Sequence, residues 1–187
     1  MGNSMNVCIF GSANDEIDSA YITAGELLGT VLGKRGHNLV FGGGGHGLMG
    51  AVARGIKPFG GEIIGVAPKF FQAPNVFFES CTNFIYTNTM RERKQIMEDL
   101  ADSFIVTPGG LGTLEEFFEI YTLISLNKIK KPIAVLNTNK FYDPLRNVIS
   151  SMSEAKFLNK ASYSMILYFD NPCELVDYIE SKNQPEG

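Results

Sequence analysis

Two segments of the chain carry side chains that could do chemistry together. The first, TPGGLGTLEE at 107–116, sets glycines at 109, 110 and 112 before a threonine and two carboxylates, Glu115 and Glu116. The second, MRERK at 90–94, crowds Arg91, Arg93 and Lys94 into five residues. A bare glycine backbone lets main-chain N–H groups approach a ligand. The opening N–H groups of a helix lack partners inside it, and the helix dipole makes that end electropositive. A phosphate fits there. Gly109, Gly110, Gly112 and Thr113 therefore offer an anion cradle, with carboxylates in the first turn beyond it.

Helical spacing separates the two glutamates. Glu116 lines up with Ile120 and Leu123, an apolar column, whereas Glu115 lines up with Glu119 and Thr122. Glu116 is the inward carboxylate. Glu115 is accounted for by the positive helix end, which favours an acid by about 0.3–1 kcal/mol. On the upstream helix, Arg93 lies between Met90 and Met97 on the apolar stripe. Such an arginine either snorkels or pairs structurally, or it faces an anionic ligand or a carboxylate. An inward Arg93 and an inward Glu116 at neighbouring strand ends would satisfy one another and flank a substrate.

Positioning these groups requires strands that end at the loops. Apolar runs at 6–10, 38–41, 62–67, 83–86, 103–107, 132–136 and 165–169 read as strands. Helical patterns alternate with them at 18–34, 48–59, 89–101, 113–127, 143–155 and 172–181, and 68–79 reads as irregular around Pro68 and Pro74. Strands apolar on both faces suit a covered parallel sheet. The expected fold is α/β and Rossmann-like: a doubly wound, mainly parallel sheet of about seven strands with helices on both faces. Ligands in such sheets sit beyond the carboxyl ends of the strands. Gly11-Ser12, a second glycine loop at 42–47 that includes Gly43 and Gly44, the stretch 87–94 and the stretch 108–113 all fall there. Four loops can thus converge on one cleft.

The chain has 187 residues, 44% hydrophobic and 19% charged, with a net charge of -4. That suits one globular domain, expected over 5–182. Residues 1–4 read as an extension and 183–187 as a frayed tail. Without a basic run, nucleic acid is not an expected partner. No apolar stretch is long enough to span a bilayer, so no membrane partner is expected either. Met1-Gly2 invites myristoylation, but Asn6 stands where that motif wants Ser or Thr. Three cysteines without metal spacing and no secretory pattern suggest reduced thiols in a cytoplasm. With two histidines, no histidine-based metal site is expected.

The motifs GGGGHGLMG at 42–50, MRERK at 90–94 and PGGLGTLEE at 108–116 resemble those of the Lonely Guy family of cytokinin-activating phosphoribohydrolases, much of which once carried a lysine decarboxylase label. The similarity runs from about Met5 to about Phe169 and includes FYDPL at 141–145. The resemblance implies a Rossmann-type fold assembled as a homodimer or multiples of dimers. It implies hydrolysis of the N-glycosidic bond of adenine-type nucleoside 5′-monophosphates, giving free base and ribose 5-phosphate without a metal or other cofactor. It aligns Arg93 and Glu116 with the catalytic pair, and Ser12, Met90, Lys94, Gly110, Gly112 and Thr113 with nucleotide contacts. Gly43, Gly44, Gly109 and Glu115 complete the candidate set. Two positions depart from the family pattern: Gly45 where Ser is common, and Arg91 where His is common.

Elementary chemistry agrees with that expectation. Cleaving an N-glycoside builds positive charge on the sugar. A carboxylate near the anomeric carbon stabilises it and can orient or deprotonate water. A pyridoxal phosphate decarboxylase would need a framed Schiff-base lysine, and no lysine is framed that way. Two alternatives stand beside this reading: a general purine nucleoside monophosphate glycosidase acting on AMP, and a nucleotide-binding carrier or sensor without turnover. A dinucleotide dehydrogenase fits poorly, since Gly11-Ser12 is not followed by the glycine fingerprint.

Overall fold

The structure, a computed structural model, describes residues 4–183. Residues 1–3 and 184–187, most of the expected extension and tail, lie outside the described residues. Asn183, assigned to a frayed tail, instead docks: its amide side chain donates to Met5 Sδ at 3.1 Å and to Ile179 O at 3.3 Å.

Seven strands form one parallel sheet: β1 (Asn6–Phe10), β2 (Asn38–Phe41), β3 (Ile63–Pro68), β4 (Asn83–Thr87), β5 (Ser103–Val106), β6 (Ile133–Leu136) and β7 (Leu167–Phe169). Their spatial order is β4-β3-β2-β1-β5-β6-β7. Helices α1 (Ser19–Lys34), α2 (Gly47–Ile56), α3 (Met90–Leu100), α4 (Leu111–Ser125), α5 (Asp143–Glu154), α6 (Lys160–Tyr163) and α7 (Pro172–Lys182) connect them. Side-chain alternation splits the core in two. Val7 and Ile9 of β1 pack with α1, α2 and α7, while Cys8 and Phe10 pack with α3, α4 and α5.

Three elements differ from their expected form. The α2 pattern breaks at Pro58, and Lys57–Phe59 is a 3-10 turn ending on Gly60 at φ 76°. The one-turn α6 carries no long apolar period, so it left no signal. Helix α4 starts at Leu111 rather than 113, because Gly110 takes the extended N-cap conformation and Gly112 is tolerated in a first turn. On α4, Phe117 and Tyr121 are buried in the chain's own core, while Phe118 and Ile124 remain half-buried.

Helices α1 and α2 approach through glycine. A methyl group on Gly29 would sit 2.1 Å from Val52 O and 3.0 Å from the Gly55 Cα, and one on Gly55 would sit 2.3 Å from Glu26 O. These contacts are with backbone, which cannot rotate away. Gly29→Ala is therefore expected to destabilise the fold by about 1–3 kcal/mol through overpacking, although alanine is the better helix former by roughly 1 kcal/mol. Chemical denaturation checks this; an unchanged or raised midpoint would contradict it.

Candidate active site

The chain leaves β1 toward β2, β3 and β4, then returns to place β5 on the other side of β1. The loops after β1 and β5 thus diverge and open a crevice at the carboxyl edge of the sheet. Ser12 N donates to Pro108 O across it, 3.2 Å away. A cavity of about 440 Å³ lies there, within the roughly 300–1,000 Å³ usual for small-molecule sites. Four loop systems reach it, as the strand ends implied: Gly11-Ser12, the second glycine loop, the start of α3 and the start of α4.

Helix α3 brings Arg93. Thr89 Oγ1 accepts from Glu92 N at 3.1 Å while the Glu92 carboxylate accepts from Thr89 N at 3.3 Å, a capping box that fixes where the helix begins. Arg93 follows one residue later and is 8% exposed. Its Nε donates to Val66 O at the end of β3, at 3.1 Å. Gly42 is bare where the guanidinium passes: a Cβ there would lie 2.5 Å from Nη2.

Helix α4 brings Glu116, 7% exposed, with Oε1 2.7 Å from Arg93 Nη1. No N–H is aligned on that oxygen as a hydrogen bond, so the contact is close and coulombic rather than directional. Burial raises the Glu116 carboxyl above its ordinary value, and the Arg93 charge opposes that rise. A raised carboxyl is a stronger base nearer neutral pH. Both side chains line the cavity.

Beside them stands the anion cradle. The α4 N-cap is Gly110, which has no side chain to cap the helix, and the N–H groups of the first turn lack intrahelical partners. Gly110, Gly112 and Thr113 line the cavity. Methyl groups on Gly110 and Gly112 would meet nothing within 4 Å, so this backbone faces open space. The net arrangement is an uncapped, electropositive helix start next to a buried, arginine-braced carboxylate.

Comparison with known proteins decides the family. The family model described as "Possible lysine decarboxylase" matches residues 49–179. The cytokinin riboside 5′-monophosphate phosphoribohydrolase LOG of Oryza sativa subsp. japonica is 36% identical over 93% of this chain and 72% of its own length. The enzyme of the same name from Rhodococcoides fascians is 34% identical over 87% of this chain and 82% of its own. This chain belongs to the Lonely Guy family. Among solved structures, the molybdenum cofactor carrier protein of Chlamydomonas reinhardtii superposes with a TM-score of 0.72 at 17% identity over 96% of this chain and 98% of its own. The molybdenum cofactor binding protein of Rippkaea orientalis gives 0.71 at 21%, over 96% and 97%. At such identities the likeness is one of fold.

Within the Lonely Guy frame, Ser12, Gly44, Met90 and Glu115 also line the cavity. Three candidate positions do not. Gly43 is a turn residue at φ 76°, where a Cβ would meet the Phe84 ring at 2.6 Å. Gly109 supports the cradle from beneath, since a Cβ there would sit 2.2 Å from Thr113 Oγ1. Lys94 turns away, with its ammonium held between Glu119, at 2.6 Å, and Glu115. No lysine is among the residues lining the cavity, which leaves the decarboxylase label without its Schiff-base residue. Among the described residues no group of three or more His, Cys, Asp or Glu side chains could hold a metal ion.

Two contributions had weak sequence signals. Tyr142 donates its hydroxyl to Thr107 O at 2.8 Å and bolts the β5 loop to the start of α5. Its burial raises the phenol well above its ordinary value. Only its place in FYDPL marked it. The connection between β3 and β4 supplies Phe71, Val76 and Phe77 to the cavity wall, although its sequence reads as irregular coil.

Arg93→Gln is expected to cost about 3–5 kcal/mol at neutral pH, because Glu116 would stay buried without its cation. The sign with pH follows from the raised carboxyl. The folded chain holds that proton to higher pH than the unfolded chain, so the penalty is absent in acid. It grows as pH climbs from the unfolded value through the folded one. Urea unfolding at about pH 4 and about pH 7 should show the deficit shrinking in acid. Equal deficits would contradict this account.

Proposed function

We propose that the protein hydrolyses the N-glycosidic bond of adenosine 5′-monophosphates, including N6-substituted cytokinin riboside 5′-monophosphates, and releases free base and ribose 5-phosphate. The observation that carries the reading is Glu116: a buried carboxylate, raised by its surroundings, that lines the cavity beside an open helix N-terminus. The names of the relatives from Oryza sativa and Rhodococcoides fascians point the same way. A carrier would need the cradle but not the buried acid, whose desolvation is costly without chemical use. Action on AMP in general is the second reading, because the cradle and the carboxylate are indifferent to the N6 group.

In this mechanism the 5′-phosphate rests on the free N–H groups at the start of α4, with the Thr113 hydroxyl as a further donor. Glu116 stabilises the cationic sugar as the bond to the base breaks, and takes a proton from the water that adds to the anomeric carbon. The departing base leaves with the bonding electron pair and takes up one proton from solvent, while Glu116 gives the water's proton back to solvent, so the sum is base plus ribose 5-phosphate from nucleotide plus one water. Arg93 holds Glu116 in place and keeps enough of it ionised. Ser12, Gly43, Gly44, Met90, Lys94, Gly109 and Glu115 serve as substrate-side or supporting positions. The residues 5–182 act as one domain. No cofactor enters the scheme.

We also infer a dimer or multiples of dimers. Leu111 is 87% exposed and Leu126 is 61% exposed, so α4 presents apolar surface at both ends. Free Cys81 and Cys173 together with Cys8 suit a reducing cytoplasm. Among the described residues no helix is long and apolar enough to cross a membrane. Sedimentation at micromolar concentration that shows monomer alone would count against the assembly.

The decisive assay incubates the enzyme with AMP, isopentenyl-AMP and adenosine and detects free base and ribose 5-phosphate. Release from neither nucleotide would sink the hydrolase reading. Adenosine is expected to lose at least about a hundredfold in kcat/KM, roughly 2.7 kcal/mol, since phosphate binding energy serves the reacting centre. Gly112→Ala should reproduce much of that loss by filling the cradle, and Thr113→Val less. Equal hydrolysis of adenosine and AMP would show the cradle to be only a turn. Glu116→Gln should keep the fold and nucleotide binding while removing most turnover, and Glu115→Gln should hurt less. A dead Glu115 variant beside an active Glu116 variant would assign the chemistry to the other carboxylate.

A further inference from the structure

The connection between β3 and β4 crosses the cavity mouth and carries Phe71, Val76 and Phe77, an apolar wall opposite the polar cradle. Backbone hydrogen bonds tie it to the second glycine loop: Gly45 N donates to Val76 O at 2.9 Å and Phe78 N to Gly43 O at 2.8 Å. One side chain adds to them. His46 sits with Nε2 2.5 Å from Asn75 O and Nδ1 2.5 Å from Asp15 Oδ2. Asp15 Oδ1 in turn accepts from Gly47 N at 2.7 Å. Three loops, those after β1, β2 and β3, therefore meet at one imidazole. Asn75, the residue it grips, sits at φ 63°, in the left-handed region that asparagine tolerates better than most side-chain-bearing residues.

The partners dictate the protonation state. A peptide carbonyl has no proton to give. The Asp15 carboxyl, held below its ordinary value by the Gly47 N–H and by His46, is an acceptor as well. Both ring nitrogens must then donate, so the arrangement exists only for the imidazolium. The Asn75 carbonyl and the Asp15 carboxylate raise His46 above the ordinary histidine value. The other charge facing the ring is Arg54 of α2, which opposes the rise and is itself paired with Glu26 at 3.2 Å.

We propose that His46 is a proton-operated clasp on the apolar wall, and that the wall receives the N6 substituent of the substrate. As imidazolium, His46 pins the connection against the β1 and β2 loops and keeps Phe71, Val76 and Phe77 over the cavity. Loss of the proton removes one of the two donors, and the wall loosens. His46 is a positioning residue: it does not line the cavity and touches no reacting atom. The role of the wall rests on the nucleotide hydrolase reading, whereas the clasp itself does not.

Two measurements keep those parts separate. The first is amide hydrogen exchange at Gly45 and Phe78 in the intact protein, comparing wild type with His46→Gln at matched pH. Protection at least about threefold greater in wild type at about pH 6, converging at about pH 9, is expected. With two histidines in the chain, the His46 ring proton is assignable by its loss in the variant, and its NMR titration should share the exchange midpoint. Asp15→Asn should move that midpoint to lower pH. Identical exchange in wild type and His46→Gln at all pH values would overturn the clasp. The second is steady-state kinetics with AMP and isopentenyl-AMP. The KM ratio of isopentenyl-AMP to AMP should rise at least about fivefold across the His46 titration in wild type, with the kcat ratio of the two substrates little changed, and should be flat in His46→Gln. A ratio that is flat in wild type, or a KM for AMP that rises as steeply, would overturn the assignment of the wall. Should neither nucleotide be hydrolysed, that assignment falls with the hydrolase reading, and the exchange result still decides the clasp.

Discussion

One contact sets the terms for the site: the guanidinium of Arg93 against the carboxylate of Glu116, both nearly shut off from water. Taking two charges out of solvent costs more than their attraction returns unless geometry and further hydrogen bonds compensate. Here compensation is partial. Arg93 reaches Val66 O, but no aligned donor serves Glu116 Oε1. A fold that needed only stability would fill these positions with aliphatic side chains. Much else in the neighbourhood accommodates the pair. Gly42 is bare so that the guanidinium can pass, the capping box of α3 sets where Arg93 falls, and the early start of α4 sets where Glu116 falls.

A good part of this was legible in the sequence. The strands β1, β2 and β5 are apolar on successive residues because both faces are covered, and that pattern needs no tertiary knowledge. The inward placement of Arg93 and Glu116 followed from which neighbours share their helical column. What was not legible depended on distant partners. Nothing local says that the Lys94 ammonium will find Glu115 and Glu119 rather than the cavity, since those acids lie on another helix. Nothing local distinguishes Phe117 and Tyr121, which enter the core, from Phe118, which stays at its edge; that depends on how α4 is rotated against β5 and α5. The β3–β4 connection read as coil because its order comes from the glycine loop it lies against, not from any period of its own.

The fold alone does not decide what the cleft does. A solved carrier protein and a solved binding protein of the molybdenum cofactor share this architecture at 17% and 21% identity. A sheet whose order reverses beside β1 offers a crevice and an electropositive helix end to any phosphorylated ligand. Turnover is a separate requirement, for which the proposed function relies on one side chain each from α3 and α4. Fold likeness at this identity leaves function to be argued from side chains, and Arg93 and Glu116 are more informative than the superposition.

The manner in which the β3–β4 connection is fastened bears on how such enzymes diversify. Its ties to the second glycine loop run mostly from main chain to main chain, between Gly43 and Phe78 and between Gly45 and Val76. Bonds of that kind are indifferent to side-chain identity. Phe71 and Val76 are exposed, so their shape can change without disturbing those ties, whereas the Phe77 ring packs against Phe84 and Tyr86 of β4. Helix α3 is less independent of the segment, since Arg93 Nε donates to Val66 O in β3, the strand from which the segment departs. The segment thus divides into positions free to vary and positions that anchor it, so drift in sequence can reshape its exposed face while its seat on the glycine loop and β4 is kept.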